Sequence, residues 1–466
     1  MDLDAVMLAR IQFAFTIAFH IIFPAFTIGL SAWIATLLIM WVRTDNERYR
    51  LLARFWTKIF AVSFAMGVVS GIVLSYQFGT NWSRYSEVVG NVVGPLIGYE
   101  VLTAFFLEAT FLGVLLFGWD RVPRWLHLTA ALCVAVGTLM SAFWILSANS
   151  WMHSPAGHVV VDGIAYPDDW WAIVFNPTFP YRLMHMVIAA YLTTSFVVIG
   201  VGARYLLAGI HREQALTMLR MGLGMAIVLA PAQAIVGDFH GLNTLEHQPQ
   251  KIAAIEGHWE TKPGPLPLVV FAIPSEAEER NLYAVEIPYL GSLILTHTLE
   301  GTFPALEEFP VEDRPPVLLP FYGFRLMVGI GFVFIGLAVW GCWLWWRGRL
   351  EASPWFLRAA AVSWPLGFIA ILAGWTVTEV GRQPWVANGL LRTADAASPV
   401  SAGSVATTLA LFVVIYTIVF SAGIYYINRL ILRGPQPPSR DRPTGVPNRP
   451  LSGASRAGPD LLAQEH

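Results

Sequence analysis

Charge is what this sequence has least of. Only 13% of its 466 residues are Asp, Glu, Lys or Arg, while 56% are hydrophobic and the mean hydropathy is +0.57. Soluble domains carry roughly 25% charge, so a water-soluble globule is excluded. Cysteine is almost missing too. Cys133 and Cys342 lie far apart inside apolar runs, without CxxC or Cys/His metal spacing, and both read as small buried hydrophobes. The N-terminus lacks a short charged leader with a small-residue cleavage site, so the first apolar run is expected to be retained. A net charge of −2 offers nucleic acid no footing.

What the chain does have is a series of apolar runs near 20 residues long, the length that crosses ~30 Å of hydrocarbon. The expected fold is an all-α polytopic membrane protein with nine transmembrane helices, at about 14–42, 56–78, 94–117, 125–148, 182–206, 218–236, 321–346, 357–378 and 404–428. Most of the 29 Lys and Arg fall in the connections after spans 1, 3, 5 and 7 and in the tail. By the positive-inside rule the N-terminus is then outside and the C-terminus cytoplasmic. The chain divides into helices 1–6 (1–236), a long proline-rich external loop (237–320), helices 7–9 (321–430) and a basic, disordered cytoplasmic tail (431–466). A loop that long is either functional or disordered, and its aromatics together with "QKIAAIEGHW" argue for partial order.

Ionisable groups inside spans are costly and point to function. His20, Glu100, His185, Arg325, Met327 and Glu379 all map to within a turn or two of one face, the outer one. Bland placements would scatter over both halves. A His/Met pair gives a low-spin, electron-transferring haem, so His185 in "YRLMHMVIAAY" and Met327 in "FYGFRLMVG" form a plausible pair, with Arg325 a bidentate partner for a propionate. His20 precedes Pro24 by four, at an expected kink. Glu100 and Glu108, eight apart in "YEVLTAFFLEAT", stand ~12 Å apart along a helix, a spacing for stepwise proton delivery rather than a direct pair. Ser141 either lines a polar path or bonds its own helix backbone. Lys251 and Glu256, five apart, would lie roughly 140° apart on a helix and make no i,i+4 pair. Either they are solvated loop charges or they bind a polar headgroup and accept its protons. His127, His153 and His211 carry no assigned chemistry.

Together these positions resemble subunit I of the cytochrome bd ubiquinol oxidases, over about residues 5–430. The most specific motif is "EVGRQPW" at 379–385. With it come "GYE" followed by Glu108, "RLMH" at 182–185, "GDFHG" at 237–241, "KIAAIEGHW" at 251–259 and "FYGFRLM" at 321–327. The resemblance implies His185 and Met327 as axial ligands of a low-spin haem b with Arg325 beside it. It implies His20 and Glu379 as ligands of the two high-spin haems, b and d, with Arg382 a propionate partner and Trp375 on the electron path. Glu100 would sit at that haem pair and Glu108 would relay cytoplasmic protons. Lys251, Glu256 and Asp238 match quinol-loop positions. The implied reaction oxidises ubiquinol or menaquinol at the outer face and reduces O2 to water with cytoplasmic protons, building membrane potential without a pump. The implied partners are a second large subunit (subunit II) and, as an optional third, a small single-span subunit, in the bacterial plasma (inner) membrane. Residues 260–320 are short, as in the quinol loops of the members often described as cyanide-insensitive oxidases. Some of those carry a further haem b in place of haem d. Two other classes compete. A proton-coupled transporter would show interrupted helices and repeats, and no repeat is evident. A cytochrome b anchor would leave His20, Glu100, Glu108 and Glu379 without work.

Overall fold

A computed structural model describes residues 4–436. Helix α1 (Ala5–Thr44) starts where the Asp4 carboxylate accepts the Met7 N–H at 2.7 Å, satisfying one of the helix's free N–H groups. Asn46 does the same for α2 (Glu47–Thr80) through the Arg48 N–H at 3.0 Å. The third span is α3 (Ser83–Glu100), a π-helical turn (Val101–Phe105) and α4 (Phe106–Phe117), followed by α5 (Arg124–His153). A small hairpin of β1 (His158–Val161) and β2 (Ile164–Pro167) and a one-turn α6 (Trp170–Val174) lead into α7 (Phe179–Leu207) and α8 (Arg212–His247).

Among the described residues, eight helical segments are long and apolar enough to cross a membrane, and a bent pair makes nine. The remaining spans are α11 (Leu318–Trp346), the pair α12 (Pro354–Val362) and α13 (Leu366–Val380), and α15 (Ala402–Arg433). The pair is bent by 41°. Pro365 starts α13 without an N–H to continue α12, which explains the break. The nine expected spans are therefore present. Their helices run past the apolar windows, because charged turns such as "ERYRLLAR" extend the same helix beyond the hydrocarbon length.

The long loop differs from expectation at both edges. Helix α8 does not stop near 236 but continues to His247, just short of Pro249. The polar residues there find partners: Asn243 donates to the Pro177 carbonyl in the turn before α7 at 3.3 Å, and Thr244 donates within the helix to the His240 carbonyl at 2.8 Å. Helix α11 likewise begins at Leu318 rather than 321. Between them lie α9 (Pro249–Glu256), an antiparallel hairpin of β3 (Leu268–Ser275) and β4 (Arg280–Ile287), and α10 (Leu290–Thr296). Ala253, Ala254, Val269, Ala272, Leu306 and Val317 close around Phe321 of α11, so this segment has a core of its own. After α13, β5 (Trp385–Ala387) pairs with β6 (Leu391–Arg392), and α14 (Thr393–Ala396) leads to α15. Of the expected cytoplasmic tail, 431–433 is still helix; residues 437–466 lie outside the described residues.

The bundle thus has a loop end, capped by 248–317, and a basic end. At the basic end Leu37, Trp41, Leu52, Trp56, Tyr205 and Met218 form part of one large apolar core.

Candidate functional site

Three of the four expected iron ligands share a local arrangement: each lies against a glycine of the neighbouring helix. His20 of α1 lies four residues before Pro24, so its carbonyl has no helical N–H to accept. Its Nδ1 is 3.1 Å from Ser70 Oγ on α2, and a Cβ on Gly71 would come within 3.2 Å of its Cε1. His185 of α7 faces Gly237 of α8 at the same 3.2 Å. Its Nε2 accepts from Gln233 Nε2 at 3.1 Å, while its Nδ1 is buried without a partner. Met327 Sδ on α11 is 2.7 Å from where a Cβ on Gly374 of α13 would stand. Any side chain at Gly374 would push the thioether aside, so glycine keeps the room these ligand-type groups occupy.

His185 and Met327 stand at the same end of parallel-running helices. The Phe196 and Phe334 rings stack at 3.8 Å deeper in the bundle. At 1.5 Å rise per residue, His185 and Met327 sit roughly 16 and 10 Å from that stack towards the loop end.

The fourth ligand candidate, Glu379 on α13, is the centre of a buried polar cluster. Its Oε1 accepts from Asn149 Nδ2 at 2.9 Å and lies 3.4 Å from His153 Nε2, both on α5. Its Oε2 pairs with Arg382 Nη2 at 2.5 Å. Arg182 of α7 donates to Asn149 Oδ1 at 2.9 Å. Lys251 of α9 donates to Gln248 Oε1 at 2.6 Å and to His153 Nδ1 at 3.0 Å. Burial, together with the nearby Arg182 charge, holds the Lys251 ammonium well below the usual lysine range. Trp375, one turn before Glu379, is half-buried on the same helix.

Glu379 is the one carboxylate in this cluster, against two guanidinium groups and a lysine. Nε and Nη1 of Arg382, Nε of Arg182 and, nearby, Nε2 of His240 are buried without acceptors. The His240 ring centroid lies 5.6 Å from that of His185. Buried polar groups are normally paired, and each orphan costs about 1–3 kcal/mol. This donor set therefore fits an anionic, acceptor-rich partner such as the propionates of a haem.

Glu100 and Glu108 face one strip of α5. Ser141 Oγ donates to Glu100 Oε1 at 2.7 Å rather than to its own helix backbone. One turn away, Glu108 packs its side chain onto Gly137. An α-helix would leave residues eight apart roughly 80° out of line. The intervening π turn takes more residues per turn and winds part of that offset back. Glu108 is buried, and its Oε1 has no partner.

On α9 the five-residue offset does what it predicts. Lys251 faces α5 and α13, while Glu256 faces α11, where Arg325 Nη2 approaches its carboxylate at 3.4 Å. Both are buried, so neither is a solvated loop charge. Burial pushes the Glu256 carboxyl up, partly offset by Arg325. Arg325, read from the sequence as a propionate partner, spends its donors elsewhere: on the carbonyls of Val269 (2.8 Å), Ile255 (2.7 Å) and Phe321 (3.0 Å) and on Glu256. It clamps the loop to α11. Asp238, at the loop end of α8, pairs with His297 after α10 at 3.1 Å on a partly exposed surface.

Sequence reasoning missed His153, Asn149, Arg182, Gln233, His240, Gln248 and His297. Asn149 and His153 did leave a signal, being one turn apart on one face at the end of an apolar helix.

The site is that of a polytopic membrane oxidoreductase, with ligand-type and titratable side chains buried among the helices. Residues 8–435 match the family model for cytochrome bd terminal oxidase subunit I. Cytochrome bd ubiquinol oxidase subunit 1 of Bacillus subtilis (strain 168) is 36% identical over 93% of this chain and 94% of its own length. Cytochrome bd-II ubiquinol oxidase subunit 1 of Escherichia coli (strain K12) is 33% identical over 95% and 99%. The bd oxidase structure from Geobacillus thermodenitrificans superposes with a TM-score of 0.86, at 33% identity over 93% of this chain and 99% of that one. The chain belongs to the cytochrome bd terminal oxidase subunit I family, and is a multi-pass protein of the bacterial inner membrane.

Proposed function

We propose that this chain is the haem-bearing, quinol-oxidising subunit of a terminal oxidase, working with subunit II and, where present, a small single-span subunit. The observation that carries this reading is the buried cluster around Glu379, whose guanidinium nitrogens lack acceptors, together with His20, His185 and Met327, each held against a glycine of a neighbouring helix. His185 and Met327 would hold the low-spin haem b. His20 and Glu379 would each hold one of two high-spin haems, b and d, with a further haem b in place of d as the alternative. Bound haem supplies reversible one-electron iron chemistry and the iron at which O2 is reduced. Arg382, with two unpartnered nitrogens, would bind a propionate, and Trp375 lies between Glu379 and the bundle interior.

The rest of the work falls to this chain's own groups. Lys251 and Glu256, buried on opposite faces of α9, would both serve quinol oxidation at the loop. Glu256, its carboxyl pushed up by burial, is the proton acceptor, and the Asp238–His297 pair carries protons on to the surface. Glu108 holds a proton in the bundle and passes it towards Glu100 and Ser141. Two quinols then reduce one O2 to two waters. With the loop end outside and the basic end in the cytoplasm, quinol protons leave on one side and water's protons enter from the other. That charge separation builds membrane potential with no pump. The short segment 260–320 supports the short-loop type.

The test is oxygen uptake by the purified complex, driven by ubiquinol in one arm and menaquinol in the other. Uptake with at least one quinol is expected; none with either would refute the reading.

A further inference from the structure

Of the side chains that meet Glu379, one also touches the quinol loop. Asn149 is tied back to Arg182 on α7, and Arg382 follows α13 itself. His153 instead spans the gap between α9 and α13, with one ring nitrogen on each side. It is fully buried, and each nitrogen faces a different partner set: Nδ1 meets Lys251 Nζ at 3.0 Å and Gln248 Oε1 at 3.1 Å, while Nε2 meets Glu379 Oε1 at 3.4 Å.

The chemistry of these partners fixes the direction of the chain. A carboxylate only accepts, so His153 presents an N–H to Glu379 Oε1, while Lys251 gives one proton to Gln248 Oε1 at 2.6 Å and turns another to His153 Nδ1. Nδ1 is then the acceptor, so the ring proton is on Nε2 and points at the carboxylate of Glu379. Lys251 reinforces the arrangement with its stem, which packs against Gly381, where a Cβ would come within 2.9 Å of Lys251 Cγ. The glycine of "EVGRQPW" is the gap through which the loop lysine reaches the cluster.

We propose that His153 is a positioning residue that couples the quinol loop to the Glu379 site: oriented by Lys251, its Nε2–H holds the Glu379 carboxylate. The inference rests on the function proposed above. Hydrogen bonds to a ligand carboxylate set its orientation and its electron donation. A change at Lys251, such as quinol arriving or leaving, then reaches Glu379 through a single imidazole.

The experiment uses the whole oxidase complex and follows the high-spin haem signals by spectroelectrochemical titration, with the low-spin signal of the His185/Met327 site as internal control. His153→Leu removes both hydrogen bonds. It is expected to lower the high-spin midpoint by about a tenfold change in oxidised-to-reduced ratio, about 59 mV for one electron, and to leave the low-spin signal in place. His153→Gln restores the parent value, because its amide oxygen accepts from Lys251 while its NH2 donates to Glu379. Lys251→Met shifts the high-spin signal in the same direction but adds nothing in the His153→Leu background. A parent-like high-spin signal in His153→Leu, or a Lys251→Met shift that persists in that background, would overturn the inference. Should His153→Leu fail to assemble, an unshifted high-spin signal in Lys251→Met alone overturns it. Absence of high-spin bands from the parent complex would instead sink the underlying reading.

Discussion

The two ends of the bundle are built from the same helices and use polar residues in opposite ways. At the basic end, charged side chains sit at the rim of a large apolar core and pair with one another in the open. Arg212 grips Glu351 at 2.6 and 2.9 Å, and Arg50 meets Asp120 at 2.6 Å, with these side chains between about a fifth and two thirds exposed. Such pairs contribute about 0–1 kcal/mol. At the loop end, Lys251, Glu256, His153, Arg182 and Arg382 are themselves buried and gather around the Glu379 and Arg325 sites. The basic end is arranged to be stable and soluble at a membrane surface. The loop end carries polar groups that stability alone does not require, and this is where function is expected to concentrate.

Substitutions at the two ends should therefore differ sharply. Glu379→Ala removes the centre of the buried cluster. Oxygen uptake should fall by more than the roughly 100-fold that an outer-shell change costs, with loss of one high-spin signal in the optical spectrum. Glu256→Gln removes the proposed proton acceptor on the loop. Quinol-driven turnover should drop about 100-fold or more, while the chemically reduced spectrum stays unchanged. Since the acceptor must be deprotonated and burial raises its carboxyl, parent turnover should fall away on the acid side at a pH above the ordinary carboxylate range. Glu108→Gln should slow oxygen reduction by about 100-fold, the low end for a proton-transfer group, again with the spectrum intact, as followed by proton uptake after an oxygen pulse. Arg212→Ala, at the basic end, should change thermal stability by no more than about 1 kcal/mol and leave turnover and spectrum alone. A spectral change in Arg212→Ala, or its absence in Glu379→Ala, would break the contrast.

Hydropathy alone located all nine spans, since an apolar window of membrane length has few other uses. Depth along those spans placed His185, Met327 and Glu379 towards the loop end, whereas Glu100 stands midway along the Ser83–Phe117 segment because that helix starts well before its apolar window. The opposite faces of Lys251 and Glu256 followed from helical geometry. What stayed hidden depends on contacts between distant parts of the chain. His153 and Glu379 are 226 residues apart, and no local pattern says which helices will be neighbours. The π turn between Glu100 and Glu108 has no reliable local signature, so the sequence does not show that both face α5. The extent of α8 was misjudged because "GDFHGLNTLEH" is polar, although it has no proline and finds partners within a helix. Arg325 was placed by its neighbour Met327, whereas its donors are drawn to carbonyls of a folded loop whose core the sequence did not reveal.

The account stands on one claim, that the loop end houses the haem irons. Its most direct test is the reduced-minus-oxidised optical spectrum of the purified complex, recorded for the parent and for Met327→Leu. The parent should show low-spin and high-spin haem bands together, and Met327→Leu should lose the low-spin bands while retaining the high-spin ones and near-normal expression. A parent without haem bands, or a low-spin signal untouched in Met327→Leu, would contradict the account.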